Sequence, residues 1–385
     1  MTTEATLPAS PKAETRPRYQ LLVGSQAFWA RAQADIAAAK DRVLVQAMTF
    51  EGDSAGLGVA QAIQASPARE RRVLVDHYTR LIISDRPVRS LQRFTDRAFA
   101  AEIAATHRMF RELRAGGVGV RVTNPLGPWM SGRPFRNHKK IIVADQIAYI
   151  GGINFSDHNF EWPDLMLRIE DAAAANLLAD DFLATYESRG RRWRATAGDL
   201  ELHSLDGRSN AEGFQPLIER IEAAVSSIVV VSPYLTFPFF EALQRAVARG
   251  AEVTLITPDA NNKPFIRDYL LWAGARAGLQ VRLTPGMMHL KGMLLDGRTL
   301  LLGSANFDFV SYLAEEEIVG VIDNAALASA FRREVVDPAL AAALPAGART
   351  PPAWSGPVSR LALRAVNRLI GASPWDRRGA EDWRY

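Results

Sequence analysis

His138-Lys139-Lys140-Ile141-Ile142-Val143-Ala144-Asp145 and His289-Leu290-Lys291-Gly292-Met293-Leu294-Leu295-Asp296 are written in one frame, H-x-K-x(4)-D. Each octet leads into a glycine-led turn and an asparagine, Gly151-Gly152-Ile153-Asn154 and Gly303-Ser304-Ala305-Asn306. The chain has six histidines, and two of them stand in matching frames about 150 residues apart. One such frame carries little weight, because strands often hold an exposed lysine. Two copies with the same sequel point to a duplicated unit.

The likeness extends outward from both octets. Amphipathic helical stretches containing Ile36 and Ile221 each enter a β-branched run, Val43 and Val45 in one case, Ile228 and Val230 in the other. Two helix-then-strand units follow in each half: 56–64 to 72–76 and 100–115 to 118–123, then 239–249 to 252–257 and 265–277 to 281–284. After each octet the chain returns through 148–150 or 300–302. This alternation predicts an α/β fold of two homologous sandwich halves, each a mixed sheet flanked by helices, related by a pseudo-two-fold axis. The expected divisions are a disordered lead-in over 1–18, a first half over 19–195 and a second half over 205–340. A Pro-rich linker and a basic amphipathic helix fill 344–385. The boundary falls in the polar, turn-rich 187–213. The connection from Asp145 to Gly151 is one residue shorter than that from Asp296 to Gly303.

The chain has 385 residues, enough for two ordinary domains, with 48% apolar and 23% charged residues, the balance of a globular protein. No stretch reaches the roughly 18 uninterrupted apolar residues that span a bilayer. The N-terminal stretch is polar and lacks the apolar centre of a signal peptide. Without cysteine there are no disulfides and no thiolate metal sites, which fits a cytoplasmic location. A net charge of +4 and a pI of about 9.4 suit an anionic partner, or an Arg-rich composition with no field of consequence.

In a strand, residues two apart share a face, so His138 is expected beside Lys140 and His289 beside Lys291. Asp145 and Asp296 stand seven residues after their histidines, an odd offset that turns them away from the imidazoles. Their expected work is to brace a turn or pair a neighbouring cation. Asn154 and Asn306 occupy turns where an amide and free N–H groups meet an oxyanion. An imidazole that reacts needs a carboxylate to fix its tautomer. Asp164 and Glu317, ten and eleven residues after the asparagines, are the repeated candidates, with Glu315 and Glu316 close to the second. Two lysines and two amides neutralise the non-bridging oxygens of a phosphodiester. One histidine attacks phosphorus and the other protonates the leaving oxygen, which needs one neutral and one protonated ring. Neither a metal nor a cofactor is called for. His77, His107, His158 and His203 have no counterpart in the repeat and are expected to be structural, although His158 follows the Asn154 turn closely.

At these residues the chain resembles the phospholipase D superfamily, over roughly 19–338, and within it the bacterial cardiolipin synthase-like branch. Arg136-Asn137-His138-Lys139-Lys140, Gly151-Gly152-Ile153-Asn154, Trp162-Pro163-Asp164, Ser232-Pro233-Tyr234 and Gly303-Ser304-Ala305-Asn306-Phe307-Asp308 are similar to stretches of that branch. The resemblance implies a metal-independent phosphohistidine mechanism with His138 as nucleophile and His289 as general acid and base. It groups Lys140, Lys291, Asp145 and Asp296 with them as the catalytic signature. Val310-Ser311 and Glu315-Glu316-Glu317 stand where the branch shows R-S and N-x-E, and these departures bear on which phospholipid is used.

The superfamily also holds nucleases. Pro128-Trp129-Met130, Met287-Met288 and the run from Tyr234 to Phe240 flank the motifs with apolar residues, which suit lipid or simply core packing. Dispersed arginines without an aromatic interleave speak against a nucleic-acid groove. A non-enzymatic module is the third reading, disfavoured because both motifs are complete. Near the C-terminus Val358, Leu361, Ala362, Ala365, Val366, Leu369 and Ile370 share a helical face, with Arg360, Arg364 and Arg368 off it and Trp375 beyond. Such a helix lies on an anionic membrane or docks on the protein's own core. The expected protein is a monomer without an obligate protein partner. It acts on an anionic phospholipid such as phosphatidylglycerol at the inner face of the cell membrane.

Overall fold

A computed structural model describes residues 17–126, 135–345, 347–372 and 380–383. Pro128-Trp129-Met130, Trp375 and nearly all of the expected lead-in lie outside them. The first half contributes β1 (Arg18–Val23), β2 (Arg42–Ala47), β3 (Glu70–Asp76), a small hairpin of β4 (Ile82–Ile83) and β5 (Arg86–Pro87), and β6 (Gly119–Thr123). It continues with β7 (Arg136–Asn137), β8 (Ile141–Ala144), β9 (Ile147–Gly151) and β10 (Leu165–Glu170). The second half holds β11 (Trp193–Ala197), β12 (Leu200–Asp206), β13 (Ser227–Val231), β14 (Glu252–Pro258) and β15 (Gln280–Thr284). Its last strands are β16 (Gly292–Leu295), β17 (Thr299–Gly303) and β18 (Glu315–Asp323), and β19 (Ala380–Asp382) closes the chain.

The two sheets repeat one order. The first runs β1-β10-β9-β8-β2-β3-β6 and the second β12-β18-β17-β16-β13-β14-β15. In both, three parallel strands fed by crossover helices join antiparallel strands made by the octet and its return. The inner faces pack on each other: Ile141, Val143, Ile150 and Leu167 share a buried cluster with Leu294, Leu300, Leu302 and Ile318. The outer faces are covered by the repeated helices, through Phe28 and Ile36 in one half and Phe214 and Ile221 in the other. This burial of two apolar sheet faces is the main source of stability.

Three expectations need correction. The polar stretch 187–213 is largely the β11–β12 hairpin of the second sheet, so that half begins near Trp193 and the first ends short of 195. Leu200, Leu202 and Leu205 are buried there, and pairing with β18 overrides the polar composition. The segment 344–385 does not stop at a helix. Its β19 returns to the first sheet beside β6, and Trp383 is buried against Phe110. Within it, the Ser355–Ala372 helix docks on the Pro264–Ala277 helix through Leu363, and of the anticipated face Ile370 packs on that core while the rest is exposed. Gly356 lies so close to the Trp272 side chain that a Cβ would clash, which lets the two helices approach. Val358, Leu361 and Val366 remain exposed. The unequal connections have a local cause: two residues join β8 to β9 and three join β16 to β17, where Gly297 adds a second left-handed residue.

The octets bind the halves together. Short β7 leaves the first half and pairs with β18 of the second. Lys139, between the two signature residues, is buried with its Nζ 2.8 Å from Asp181 Oδ2 and 2.8 Å from Ser204 Oγ. Trp193 Nε1 donates to the same carboxylate at 2.8 Å. Removing one partner of a buried pair strands the other charge. Asp181→Ala is therefore expected to cost about 3–5 kcal/mol of stability, measured by urea denaturation.

Candidate active site

His138 and His289 are not on strands. Each precedes one, in the link from β7 to β8 and in the approach to β16, at corresponding places in the two halves. Backbone bonds to the opposite half fix both: His138 N–H donates to Glu316 O at 2.9 Å and His289 N–H to Pro163 O at 2.8 Å. Both rings open on one cleft of 160 Å³, which Asn154 and Asn306 also line.

Each imidazole is held by a carboxylate of the other half. His138 Nδ1 is 2.9 Å from Glu317 Oε1, and His289 Nδ1 is 2.8 Å from Asp164 Oδ2. Glu317 is held in turn by the hydroxyls of Ser304 and Ser311. Asp164 accepts from its neighbour's N–H, Leu165, at 2.8 Å. Along β18 side chains alternate, so Glu315 and Glu317 face the site and Glu316 turns to Asn124 and Asn137. Lys291 Nζ also stands 2.8 Å from His289 Nδ1. A ring nitrogen carries one proton at most. The carboxylate accepts it, while Lys291 donates to the His289 carbonyl. Both rings thus carry the proton on Nδ1 and present the Nε2 lone pair.

The signature lysines are buried beneath the histidines and do not line the cleft. Lys140 Nζ donates to the His138 carbonyl at 2.7 Å. The aspartates lie at the far ends of their strands. Asp145 accepts from the N–H groups of Lys40, Asp41 and Arg42 at 2.8–2.9 Å, and Asp296 from those of Val225, Ser226 and Ser227 at 2.8–3.0 Å. Both have left-handed φ, +52° and +49°. Counting Asp145 and Asp296 among the catalytic groups is corrected on that ground: they anchor the turns, and neither is among the described residues that line the cleft. Asn154 Oδ1 accepts from Thr49 N–H at 3.3 Å, whereas Asn306 Oδ1 is buried with no hydrogen-bond partner among the described residues.

Burial sets the charges. Burial and the Lys140 ammonium push the His138 imidazole well below its ordinary range, and burial with Lys291 drives His289 down to about 3. Both shifts favour the neutral ring, whereas the expected chemistry calls for one protonated imidazole. Burial also lowers Lys140 to about 7 and Lys291 to about 8. It raises Glu317, and it lifts Glu315 to about 7. For Asp164 burial acts upward, but the Lys291 ammonium and the His289 hydrogen bond outweigh it and hold the carboxyl below its usual range. An anion in the cleft reverses these penalties and favours protonated lysine and imidazole.

Several wall residues have no repeat signature. Lys263 stands with its Nζ 4.1 Å from the centre of the Tyr234 ring. The cue for it is its loop, which leaves the carboxyl end of a parallel strand, where ligand sites of α/β sheets gather. His158, expected to be structural, is also in the wall, 4.0 Å from Glu51 Oε2 and 3.9 Å from Asp85 Oδ1. Trp162 packs between His158 and His289. The remaining three histidines do not line the cleft: His77 opens the turn after β3, His107 lies against Trp383 and His203 against Glu201. For a cation, His138, Glu315 and Glu317 offer ligand atoms within 4.8 Å of one another, as do Glu51, Asp53 and Glu102. In the first group the imidazole and Glu317 already bond to each other.

Residues 33–186 and 217–336 match the family model described as cardiolipin synthase, PLD-like domain. The chain is 28% identical over 268 residues to cardiolipin synthase A of Pseudomonas fluorescens, covering 61% of this chain and 54% of that one. It is 27% identical over 350 residues to cardiolipin synthase A of Pseudomonas putida, covering 82% and 68%. It thus spans about half to two thirds of the length of these relatives. In three dimensions it is similar to phosphatidylserine synthase of Haemophilus influenzae, with a TM-score of 0.67 and 17% identity over 92% of this chain and 95% of that one. That likeness shows a shared fold.

Glu51 supplies a pH test. Burial raises its carboxyl from 4.5 to about 8. The folded state therefore holds this proton more tightly than the unfolded chain. The associated stability is complete below 4.5 and is lost as pH rises through about 8. Melting temperatures of the wild type should fall relative to those of Glu51→Gln between about pH 5 and pH 9. Parallel curves would contradict the assignment.

Proposed function

Because the chain belongs to the PLD-like domain family of cardiolipin synthase, matched over both of its halves, we propose that it transfers phosphatidyl groups from an anionic phospholipid to an alcohol or to water. The observation that carries this reading is the pair of imidazoles on one cleft, each held at Nδ1 by a carboxylate from the opposite half.

In the proposed reaction the His138 Nε2 lone pair attacks phosphorus. The bond from phosphorus to the departing alkoxide oxygen breaks, and that oxygen takes a proton from His289 Nε2. His289 then removes a proton from the incoming hydroxyl. Its oxygen attacks phosphorus, and the electron pair of the P–N bond returns to His138. The bound diester's negative charge raises His289 from its depressed value, so the acid is loaded when substrate is present. The amides of Asn154 and Asn306 donate to the non-bridging oxygens, and Lys140 and Lys291, recharged in the same way, stabilise the charge from beneath the cleft. Glu317 and Asp164 position the rings and stabilise the imidazolium that forms. No metal takes part in these steps.

One chain supplies both imidazoles and both carboxylates, which supports a monomeric working unit. No helix among the described residues is long and apolar enough to cross a membrane. The proposed place of action is the inner, cytoplasmic face of the membrane, reached peripherally, with phosphatidylglycerol as a fitting substrate.

Purified protein incubated with phosphatidylglycerol vesicles and chelator is expected to form cardiolipin or phosphatidic acid, and to leave single- and double-stranded DNA intact. Cut DNA without lipid product would replace this reading with a nuclease. Loss of activity to chelator, restored by one particular metal ion, would sink the metal-free mechanism. His138→Ala should abolish acid-labile phosphoenzyme in a rapid quench with labelled substrate. Glu317→Gln and Asp164→Asn are each expected to lower kcat by about 10²–10⁴-fold and shift its pH profile in protein that circular dichroism shows to be folded at the assay temperature.

A further inference from the structure

The segment between β3 and the Arg97–Ala115 helix does two things. Its first part builds the cleft wall, through Tyr78, Ile82 and Asp85. The β4–β5 hairpin is fixed by a small core of its own, Ile83, Val88, Phe99 and Ile103, and by the Arg86 guanidinium 4.0 Å over the Phe99 ring. Beyond this anchor a tip carries Leu91 and Phe94, whose relative exposures of 83% and 82% exceed those of the other exposed large apolar residues. Residues 86–97 hold four arginines against one aspartate. That aspartate, Asp96, is taken up by Arg86 at 2.7 Å and by the Phe99 N–H at 3.0 Å. Arg89, Arg93 and Arg97 are exposed beside the two apolar side chains.

We propose that the Leu91–Phe94 tip inserts into an anionic lipid surface, with Arg89, Arg93 and Arg97 on the headgroup phosphates, and so holds the cleft at the membrane. This rests on the phospholipid reading of the site. Apolar side chains flanked by cations have the chemistry of an interfacial anchor, whose apolar part enters the headgroup–acyl boundary while the cations meet anionic lipid. Leu91 is six residues beyond Asp85, so at most about 20 Å of chain separates the tip from the cleft wall. Two other occupants fit less well. A leucine offers no π-face to a nucleobase. Two protruding side chains cover far less than the roughly 1,000 Å² of a specific protein interface.

The test compares wild type, the Leu91→Asp/Phe94→Asp double variant, Phe94→Trp and Leu361→Asp. Co-sedimentation is measured with phosphatidylglycerol–phosphatidylcholine vesicles and with pure phosphatidylcholine vesicles. Turnover is measured on a short-chain phosphatidylglycerol kept below its micellar concentration. The double variant should bind anionic vesicles at least about ten-fold more weakly, with unchanged turnover of the monomeric substrate. Phe94→Trp, which keeps an apolar tip, should bind like wild type. Equal binding by the double variant overturns the proposal. So does loss of binding confined to Leu361→Asp in the Ser355–Ala372 helix, or capture of a single-stranded oligonucleotide with no vesicle binding. Wild-type inactivity on the monomeric substrate counts against the enzymatic reading instead, and the vesicle measurement is read independently of it.

Discussion

Glu317 reaches from the second half to Nδ1 of His138, and Asp164 reaches from the first half to Nδ1 of His289. Everything else at the centre of this molecule is arranged around that exchange. Each half carries its histidine before one inner strand and its carboxylate at the start of another, with a return strand between them in the sheet. The partner for each ring is the equivalent carboxylate across the interface. Backbone bonds from the two histidine N–H groups to Glu316 and Pro163 lock the same register. Neither half alone has an oriented imidazole, so assembly of the halves and of the site are one event.

Enclosing these groups has an electrostatic consequence. Lysines and carboxylates that water would keep charged are buried within a few ångströms of one another, and burial weakens the hold of each on its charge. The serine hydroxyls on Glu317 and the lysine-to-carbonyl bonds meet part of the desolvation cost. Burial thus favours neutral imidazoles above two weakened lysine cations, and an anion entering the cleft strengthens the hold of both on their protons.

The frame that carries the exchange is the doubled sheet. Asp145 and Asp296, though part of the repeated signature, serve it from the opposite ends of β8 and β16. Each gathers three backbone N–H groups from a turn that would otherwise leave them unpaired. The halves differ at their margins: β11 extends one sheet, while β19 extends the other and carries the chain's end back to the first half. These additions leave the central strand order unchanged, and with it the position of the histidines.

The repeated octets, the paired β-branched runs at Val43 and Ile228 and the alternation of helix with strand determined the α/β class, the duplication and the reacting residue types. All are local patterns repeated in one chain. Asp164 and Glu317 were legible as candidates because they recur at nearly the same distance from Asn154 and Asn306. Which histidine each one holds was not legible, since the partners lie 125 and 179 residues apart and only packing of the two inner sheet faces brings them together. The same holds for Lys263 and His158, which enter the wall from loops without a repeated counterpart. It holds for the β11–β12 hairpin, where pairing with β18 outweighs a polar composition. The outward face of the Ser355–Ala372 helix is another case, because the close fit of Gly356 against Trp272 and the burial of Leu363 turn most of its apolar stripe outward. Sequence determines what recurs along the chain; the tertiary structure decided what meets across the interface, because burial and hydrogen-bond geometry depend on neighbours that chain order does not specify.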